Sequence, residues 1–384
     1  MVGADALTTM ESALDGALQR MSGRAPTVAV VFLAGATGDA ADDALLAAAR
    51  RLPQAMVIGS TVDEVISPGE VTANGISASV WLAALPNATV RSFHLEVIRT
   101  RDSLAVVGMP PRRDDDSCVV MLADPWSFPA EGFVDSSTAA LEELPIVGGL
   151  VGGPTAADVR MLVDGRIVRR GAIGLCLGGE VAAQVGVAHA SRPVGPPMTI
   201  TASEGEAVLE LAGRPATARI DDLLGELSGE EQALASCGLL LGIVLDEYSD
   251  DHGIGDFAAQ SVLGSDPASG AIWLAEHVPV GTTVRLHIVD PVAAKADLDA
   301  AVVGLAAGSE VEGLLLFSGA PRGGALGTPG ADLAAAQALT SAVGVAGMAT
   351  IGGIGPVLGS NRLLGFASSV LLVGQSVPDR VLTA

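Results

Sequence analysis

From Ala6 onward the apolar residues fall at helical intervals, with Leu7, Met10, Leu14, Leu18 and Met21 on one stripe. That spacing predicts an amphipathic helix, and its early Asp and Glu set the segment apart from a signal peptide. The pattern then changes to short, almost wholly apolar runs, which predict strands covered on both faces. Such runs begin at Val28 (VAVVFLAGA), Val119 (VVMLADP) and Leu314 (LLLFSGA). Each is followed by an Ala/Leu-rich helical segment: DDALLAAARRL, SSTAALEEL and GADLAAAQALTSA. A second apolar run then closes on glycine, as MVIGST, PIVGG and VGVAGM, and a further strand follows each. Val28 to Gly59, Val119 to Gly148 and Leu314 to Gly347 are nearly equal intervals, as expected of one supersecondary unit used three times. The expected fold is α/β, with internally repeated strand–helix–strand–strand units forming two related halves and mixed sheets covered by helices.

Between the units the sequence predicts hairpins. SVWLAAL and TVRSFHLEVI flank Pro86-Asn87, GLCLGG and VAAQVGVAHA flank Gly178–Glu180, and GAIWLAEHV and TTVRLHIVD flank Pro279–Gly281. Within TVRSFHLEV the alternation puts Arg91, Phe93, Leu95 and Val97 on one face and Val90, Ser92, His94 and Glu96 on the other. The Pro/Gly-rich SRPVGPPM at 191–198 interrupts the pattern before the helix-like RIDDLLGELSGEEQALA, and marks a boundary between halves. The glycine-rich GGIGPVLG at 352–359 reads as a loop.

LPIVGGLVGG at 144–153 raises the question of a phosphate loop. Such a loop needs a helix N-terminus directly after its glycines. Here Pro154 and a Val-Asp-Gly-Arg turn follow, which is hairpin chemistry, and no Gly-Lys-Ser/Thr occurs anywhere. Composition narrows the function further. A formal net charge of -23 repels phosphate backbones and anionic lipid, which excludes nucleic acid and membrane surfaces as expected partners. CGLLLGIVL is far shorter than the ~20 residues a bilayer-spanning helix needs. Cys118, Cys176 and Cys237 each lie in or beside apolar runs, where cysteine behaves as a small buried hydrophobe, and a reducing cytoplasm is the expected compartment.

Catalytic signatures are missing from the sequence: there is no Gly-x-Ser-x-Gly, Cys-x-x-Cys or His-Glu-x-x-His. The histidines are scattered (His94, His189, His252, His277, His287), although the predicted hairpin would bring His277 and His287 near each other. Asp246, Glu247, Asp250, Asp251 and Asp256 crowd the stretch LDEYSDDHGIGDF, whose spacing does not fit an EF-hand and reads as a solvated acidic loop. A catalytic role is expected of no residue, and neither a metal nor a cofactor is expected.

In its order of motifs the chain resembles the FIST family of paired N- and C-terminal sensory domains. The N-terminal pieces are VIGST with Glu64, LADP at 122–125, PIVGG at 145–149, PVG and MTIT between 193 and 201, and ELAGRPA at 210–216. The C-terminal pieces are LGIVLDE, GAIWLAEHVPVGTTVRLHIVD, LLLFSGAPRG, GVAG and IGP. The resemblance implies a helical segment at 1–27, a FIST N-terminal-like domain at 28–215 and a FIST C-terminal-like domain at 216–384. It implies a stand-alone cytoplasmic sensor that binds a small polar ligand, such as an amino acid, and signals through a separate protein partner. Some relatives bind haem and sense nitric oxide, so a haem sensor stands as one alternative. An interaction scaffold with a degenerate pocket, or an enzyme using Glu64 or the acidic loop as base, are others. Three positions depart from the family pattern: Gly319 stands where relatives commonly have Cys, Gly353 where they carry Glu, and Gln260 where they often place Arg.

Ligands of α/β folds gather at the carboxyl ends of strands. The expected ligand-binding residues are therefore Gly59, Ser60, Thr61 and Glu64, bordered by Gly148 and Gly149, with Arg322 at the equivalent place in the C-terminal half. Ser60 and Thr61 can donate or accept hydrogen bonds, and Glu64 can hold an amino group. The alternative is that Ser60 and Thr61 satisfy loop backbone and Glu64 is solvated.

Overall fold

The computed structural model describes residues 5–67, 70–71, 75–101, 104–153, 155–249, 252–307, 309–319, 329–342 and 344–376. In chain order the N-terminal elements are α1 (Ala6–Arg20), β1 (Val28–Ala34), α2 (Gly38–Arg51), β2 (Met56–Val62), β3 (Val65–Ser67), β4 (Glu70–Val71), β5 (Ser77–Ala83), β6 (Ala88–Arg99) and β7 (Leu104–Val107). There follow β8 (Asp116–Ala123), α3 (Ala130–Ala140), β9 (Ile146–Leu150), β10 (Met161–Val163), β11 (Arg166–Val168), β12 (Ala172–Gly179), β13 (Ala182–His189), β14 (Ser191–Glu204), β15 (Ala207–Leu211) and β16 (Arg214–Pro215). The remainder is α4 (Ala216–Glu226), α5 (Gly229–Cys237), β17 (Leu239–Val244), β18 (Phe257–Ser261), β19 (Gly264–Asp266), β20 (Ala271–Trp273), β21 (Thr283–Val289) and α6 (Pro291–Ala306). The last elements are β22 (Ser309–Gly319), α7 (Pro329–Thr340), β23 (Gly344–Thr350), β24 (Gly353–Val357), β25 (Ser360–Leu364) and β26 (Ala367–Ser376).

These strands form four sheets. Three of them are built around a parallel pair joined by a helix: β1–β2 through α2, β8–β9 through α3, and β22–β23 through α7. In each, the first strand also takes an antiparallel neighbour, β5, β12 and β26 respectively. β1 is buried along its whole length because both its faces are covered. Val28, Val30 and Phe32 enter a central core shared with β8, β9, β12, β22, β23 and β26. Ala29, Val31 and Leu33 face outward onto α1 and α2. The outer face of the β8 sheet is likewise covered by α3, and that of the β22 sheet by α6 and α7. Phe32 meets Phe317 edge to face at the centre, with ring centroids 6.2 Å apart. Full burial of such a side chain contributes roughly 1.5–3 kcal/mol, which is why a charge-poor, Ala/Leu/Val-rich chain closes three sheets on one core. The fourth sheet has a core of its own under α4 and α5.

Local chemistry sets the ends of the elements. Asp5 caps α1, accepting a hydrogen bond from the Thr8 N–H, and Met10 and Leu14 of the expected stripe are buried. Ser228 and Glu231 form a capping box that starts α5 and splits the single helix-like segment in two. The Val-Asp-Gly-Arg turn is a hairpin, with Val163 opposite Arg166 and both Asp164 and Gly165 at positive φ.

Several expectations are overturned by long-range pairing. None of the other predicted hairpins forms: β5 pairs β1 while β6 pairs β12 and β7. β12 pairs β6 and β8 while β13 pairs β26. β20 pairs β15 and β19, while β21 pairs β14 and β17. At the first two turns the chain crosses to another sheet, and at the third it passes to a non-adjacent strand of the same sheet, because an apolar strand is satisfied by any apolar neighbour and not only by its sequence neighbour. The stretch 191–198 is not a linker but the start of β14, with its Pro/Gly residues in a bulge against β21 between Val194 and Met198. Residues 353–357 are strand rather than loop, pairing β9 and β25. Strands from both halves therefore share sheets: β24 and β25 extend the β8 sheet, while β3, β4 and β13 belong to the β22 sheet. Cys118 and Cys176 are buried, whereas Cys237, at the end of α5, is exposed.

Candidate functional site

The carboxyl ends of β2, β9 and β23 meet at one junction. Just past β2, the Glu64 carbonyl accepts a hydrogen bond from the Ala349 N–H at 3.0 Å, and Val65 and Ile66 pair Met348 and Gly347. Past β9, the Asp63 carboxylate lies against Gly152, where a Cβ would come within 2.7 Å of its Oδ1. Thr350, at the end of β23, donates from Oγ1 to the Leu150 carbonyl at 2.8 Å, and a Cβ on Gly149 would sit 2.8 Å from that same Oγ1. Glycine is required here by close approach. At Gly148 a Cβ would lie 2.8 Å from the Met121 carbonyl carbon and nearer still to its oxygen, and at Gly59 it would lie 2.5 Å from the Val31 carbonyl oxygen.

Gly59, Ser60, Thr61, Glu64, Gly148 and Gly149 are thus brought to neighbouring strand ends. Arg322 lies outside the described residues, as do Asp250 and Asp251. The two hydroxyls serve the backbone. Ser60 is fully buried and donates to the Thr61 and Arg160 carbonyls at 2.8 and 3.1 Å. Thr61 Oγ1 accepts from the Arg160 N–H at 2.9 Å. Glu64 differs: the residue is half-buried, and its carboxylate has no hydrogen-bond or ion-pair partner among the described residues. Sequence reasoning missed Asp63 and Thr350, whose signal would have been their positions just after, or at the end of, runs that close on glycine.

Two cavities lie away from this junction. One, of about 1030 Å³, is lined by His94, Arg99, Asp124, Trp126, Arg169 and Arg170 among others. Its polar groups close on one another. Buried Asp124 accepts from the Trp126 N–H and the Ser127 hydroxyl, Ser127 Oγ accepts from the Gly171 N–H, and His94 Nε2 sits 2.9 Å from the Arg170 carbonyl. The other, of about 470 Å³, lies between α1, β5 and the β22–β23 pair.

This geometry can be set beside known proteins. Residues 27–214 match the FIST N domain, and residues 216–356 match the FIST C domain. The chain belongs to the FIST family. It is also 33% identical over 360 residues to an uncharacterized protein of Mycobacterium tuberculosis, covering 93% of each chain. An uncharacterized protein of Mycobacterium bovis is 31% identical over 372 residues, covering 96% of each.

In this FIST protein two of the three positions expected to depart from the family pattern are neighbours in space. A Cβ on Gly319 would lie 2.8 Å from the Ala367 carbonyl oxygen, and one on Gly353 would lie 3.4 Å from that same atom. Gly353 in turn pairs Gly149 across the β9–β24 ladder. The third, Gln260, contacts Glu276 at 3.5 Å, elsewhere in the fold.

Of the described acidic residues in the loop, two serve local turns and Glu247 reaches β21. Asp246 accepts from the Tyr248 N–H, Asp256 from the Gly253 N–H, and Glu247 from the Thr283 N–H, while Tyr248 stands 99% exposed. Among the described residues no three His, Cys, Asp or Glu groups are placed to hold a metal ion. His277 and His287 are not brought together as the hairpin expectation had it. His277 Nδ1 is 2.6 Å from the Gly205 carbonyl, while buried His287 faces the Ser191 hydroxyl and the Phe257 ring. His252 is held by the Asp246 carbonyl and His189 lies beside Asp297. With His94, His252 and His277 held by backbone carbonyls and His287 enclosed in the core, purified protein is expected to show no Soret band after haem titration. A one-to-one haem complex abolished by a single His→Ala change would contradict this. No described helix is long and apolar enough to cross a membrane.

Proposed function

We propose that this FIST protein senses a small polar ligand bearing an amino group, an amino acid being the leading class, and relays binding to a protein partner. The observation that carries the reading is the carboxylate of half-buried Glu64, unpartnered among the described residues, at the junction of three glycine-closed strand ends. An unpartnered carboxylate gains most from a cation that brings its own hydrogen-bond donors. The same reading takes the three strand–helix–strand units as copies of one unit, since Gly59, Gly148 and Gly347 all pair within parallel ladders. It also takes Gly319 and Gly353 as a joint change that leaves Glu64 as the charged anchor of the junction.

A thermal-shift screen over amino acids, amines and carboxylates tests the reading, since a ligand at a hundred times its dissociation constant adds ~2.7 kcal/mol. Glu64→Gln is expected to weaken an amine ligand by ~1.5–3 kcal/mol with folding little changed, because a charge-assisted bond is lost and no core contact is removed. Calorimetric titration of both proteins reads that difference. One observation favours a second reading, a protein-interaction scaffold whose pocket has decayed: the Ser60 and Thr61 hydroxyls are engaged by backbone. Under that reading no small molecule in the screen shifts the melting temperature.

A further inference from the structure

We propose that the cavity between α1, β5 and the β22–β23 pair is a second ligand site, which takes an amphiphilic monocarboxylate. Its volume of about 470 Å³ falls in the range of small-molecule sites. The decisive feature is Trp81 on β5. It is 1% exposed, and the indole Nε1–H has no hydrogen-bond partner among the described residues. Buried indole N–H groups usually find an acceptor, and an orphaned donor needs a reason. Here the ring edge looks out between two glycines that line the cavity. A Cβ on Gly313 would lie 3.0 Å from Nε1, and one on Gly344 would lie 3.8 Å from it. No side chain from either glycine stands between the indole edge and the cavity.

Of the other polar groups of the wall, Ser79 donates to the Ile66 carbonyl and Gln337 to the Ala342 carbonyl. The buried indole is thus a donor left over for a guest, beside the half-buried Ser67 hydroxyl. Charge sets the guest's sign. Arg20 and Arg24 stand at the α1 side of the cavity, and Arg24 pairs Glu312 at 3.1 Å. Among the described residues Arg20 bonds only the Gly16 carbonyl of its own helix, at 3.2 Å, and that contact does not neutralise its charge. A local excess of positive charge on a chain of net charge -23 selects an anion, and one uncompensated guanidinium suits one carboxylate. Ala17, Val80, Leu82, Ala84 and Val345 supply apolar wall for the body of the molecule. This site does not involve Glu64, so it stands or falls apart from the amine site.

The test uses Trp81 as its own reporter. Trp126 and Trp273 are 51% and 39% exposed, so Trp126→Phe and Trp273→Phe together leave Trp81 as the sole indole with the core intact. Octanoate and 3-phenylpropionate are titrated, with the corresponding amides as neutral controls. Each acid is expected to change Trp81 emission saturably at up to millimolar concentration, and to bind ~10-fold more tightly than its amide. Arg20→Gln is expected to erase that preference while amide binding stays unchanged. Trp81→Phe, followed by calorimetry, is expected to weaken acid and amide alike. The proposal is overturned by emission that does not respond to either acid, by equal affinity for acid and amide, or by an acid preference that survives Arg20→Gln.

Discussion

Replacing Gly148 by alanine is expected to destabilise the protein by more than ~3 kcal/mol, at the top of the range for overpacked cores. The added Cβ would run into the Met121 backbone carbonyl on β8, and no side-chain rotation can relieve it. Met121 and Gly148 are direct partners in a parallel pair whose residues are buried on both strands. Relief therefore means separating β8 from β9, which breaks ladder hydrogen bonds and opens the central core. Gly153→Ala is the matched control, since its nearest contact would be an ordinary 3.5 Å to the Asp158 side chain. That change is expected to stay within ~0.5 kcal/mol. Urea midpoints of the two variants distinguish a glycine kept for packing from one that is interchangeable.

Acidification is expected to act through His287. Burial pushes its imidazole down to about 3 from an ordinary 6.5, with the charges of Arg285 and His189 adding to the effect. A folded-state pKa below the unfolded one means the unfolded chain binds the extra proton. This stabilising contribution is complete above pH 6.5 and is lost progressively as pH falls towards about 3. The slope approaches ~1.4 kcal/mol per pH unit, or about 2 kcal/mol lost at pH 5. Two other groups bear on the window. Asp290, where Arg192 and the α6 N-terminus outweigh burial, sits below 3.8 and so matters only in stronger acid. Glu131 is raised to about 7 by partial desolvation and by the neighbouring Glu276 carboxyl, so its contribution is present below pH 4.5 and lost as pH rises through about 7. Glu131 and Glu276 are exposed, which leaves their effect small beside that of a histidine 1% exposed. His287→Gln is expected to flatten stability between pH 7.5 and 5, measured by urea unfolding at both values. Parallel losses in variant and parent would show that His287 is not the titrating group.

What the chain encodes locally was legible. The stripe of Met10 and Leu14, the runs at Val28 and Val119, and the Asp164-Gly165 turn each state their element within a few residues. What was not legible depended on partners far away in sequence. The Ser60 hydroxyl is satisfied by the Arg160 carbonyl, a hundred positions on, so nothing near Ser60 distinguishes a ligand donor from a backbone strut. Pro86-Asn87 looks like a hairpin turn because the runs on either side suit any buried strand, yet the chain crosses there to a second sheet. Gly195 and the prolines beside it look like a break because a bulge in a long strand uses the same residues as a linker. The meeting of Asp63 with Gly152, and of Glu64 with Ala349, likewise follows from three sheets closing on one core, which no local period records.

Hydrogen exchange with and without a saturating amino acid tests the central claim most directly. Binding at the junction is expected to slow exchange at residues 60–66, 148–152 and 349–353 together, although they are far apart in sequence, and Glu64→Gln is expected to abolish that protection. Protection confined to the α1–β5 cavity, protection unaffected by Glu64→Gln, or none with any amino acid would contradict it.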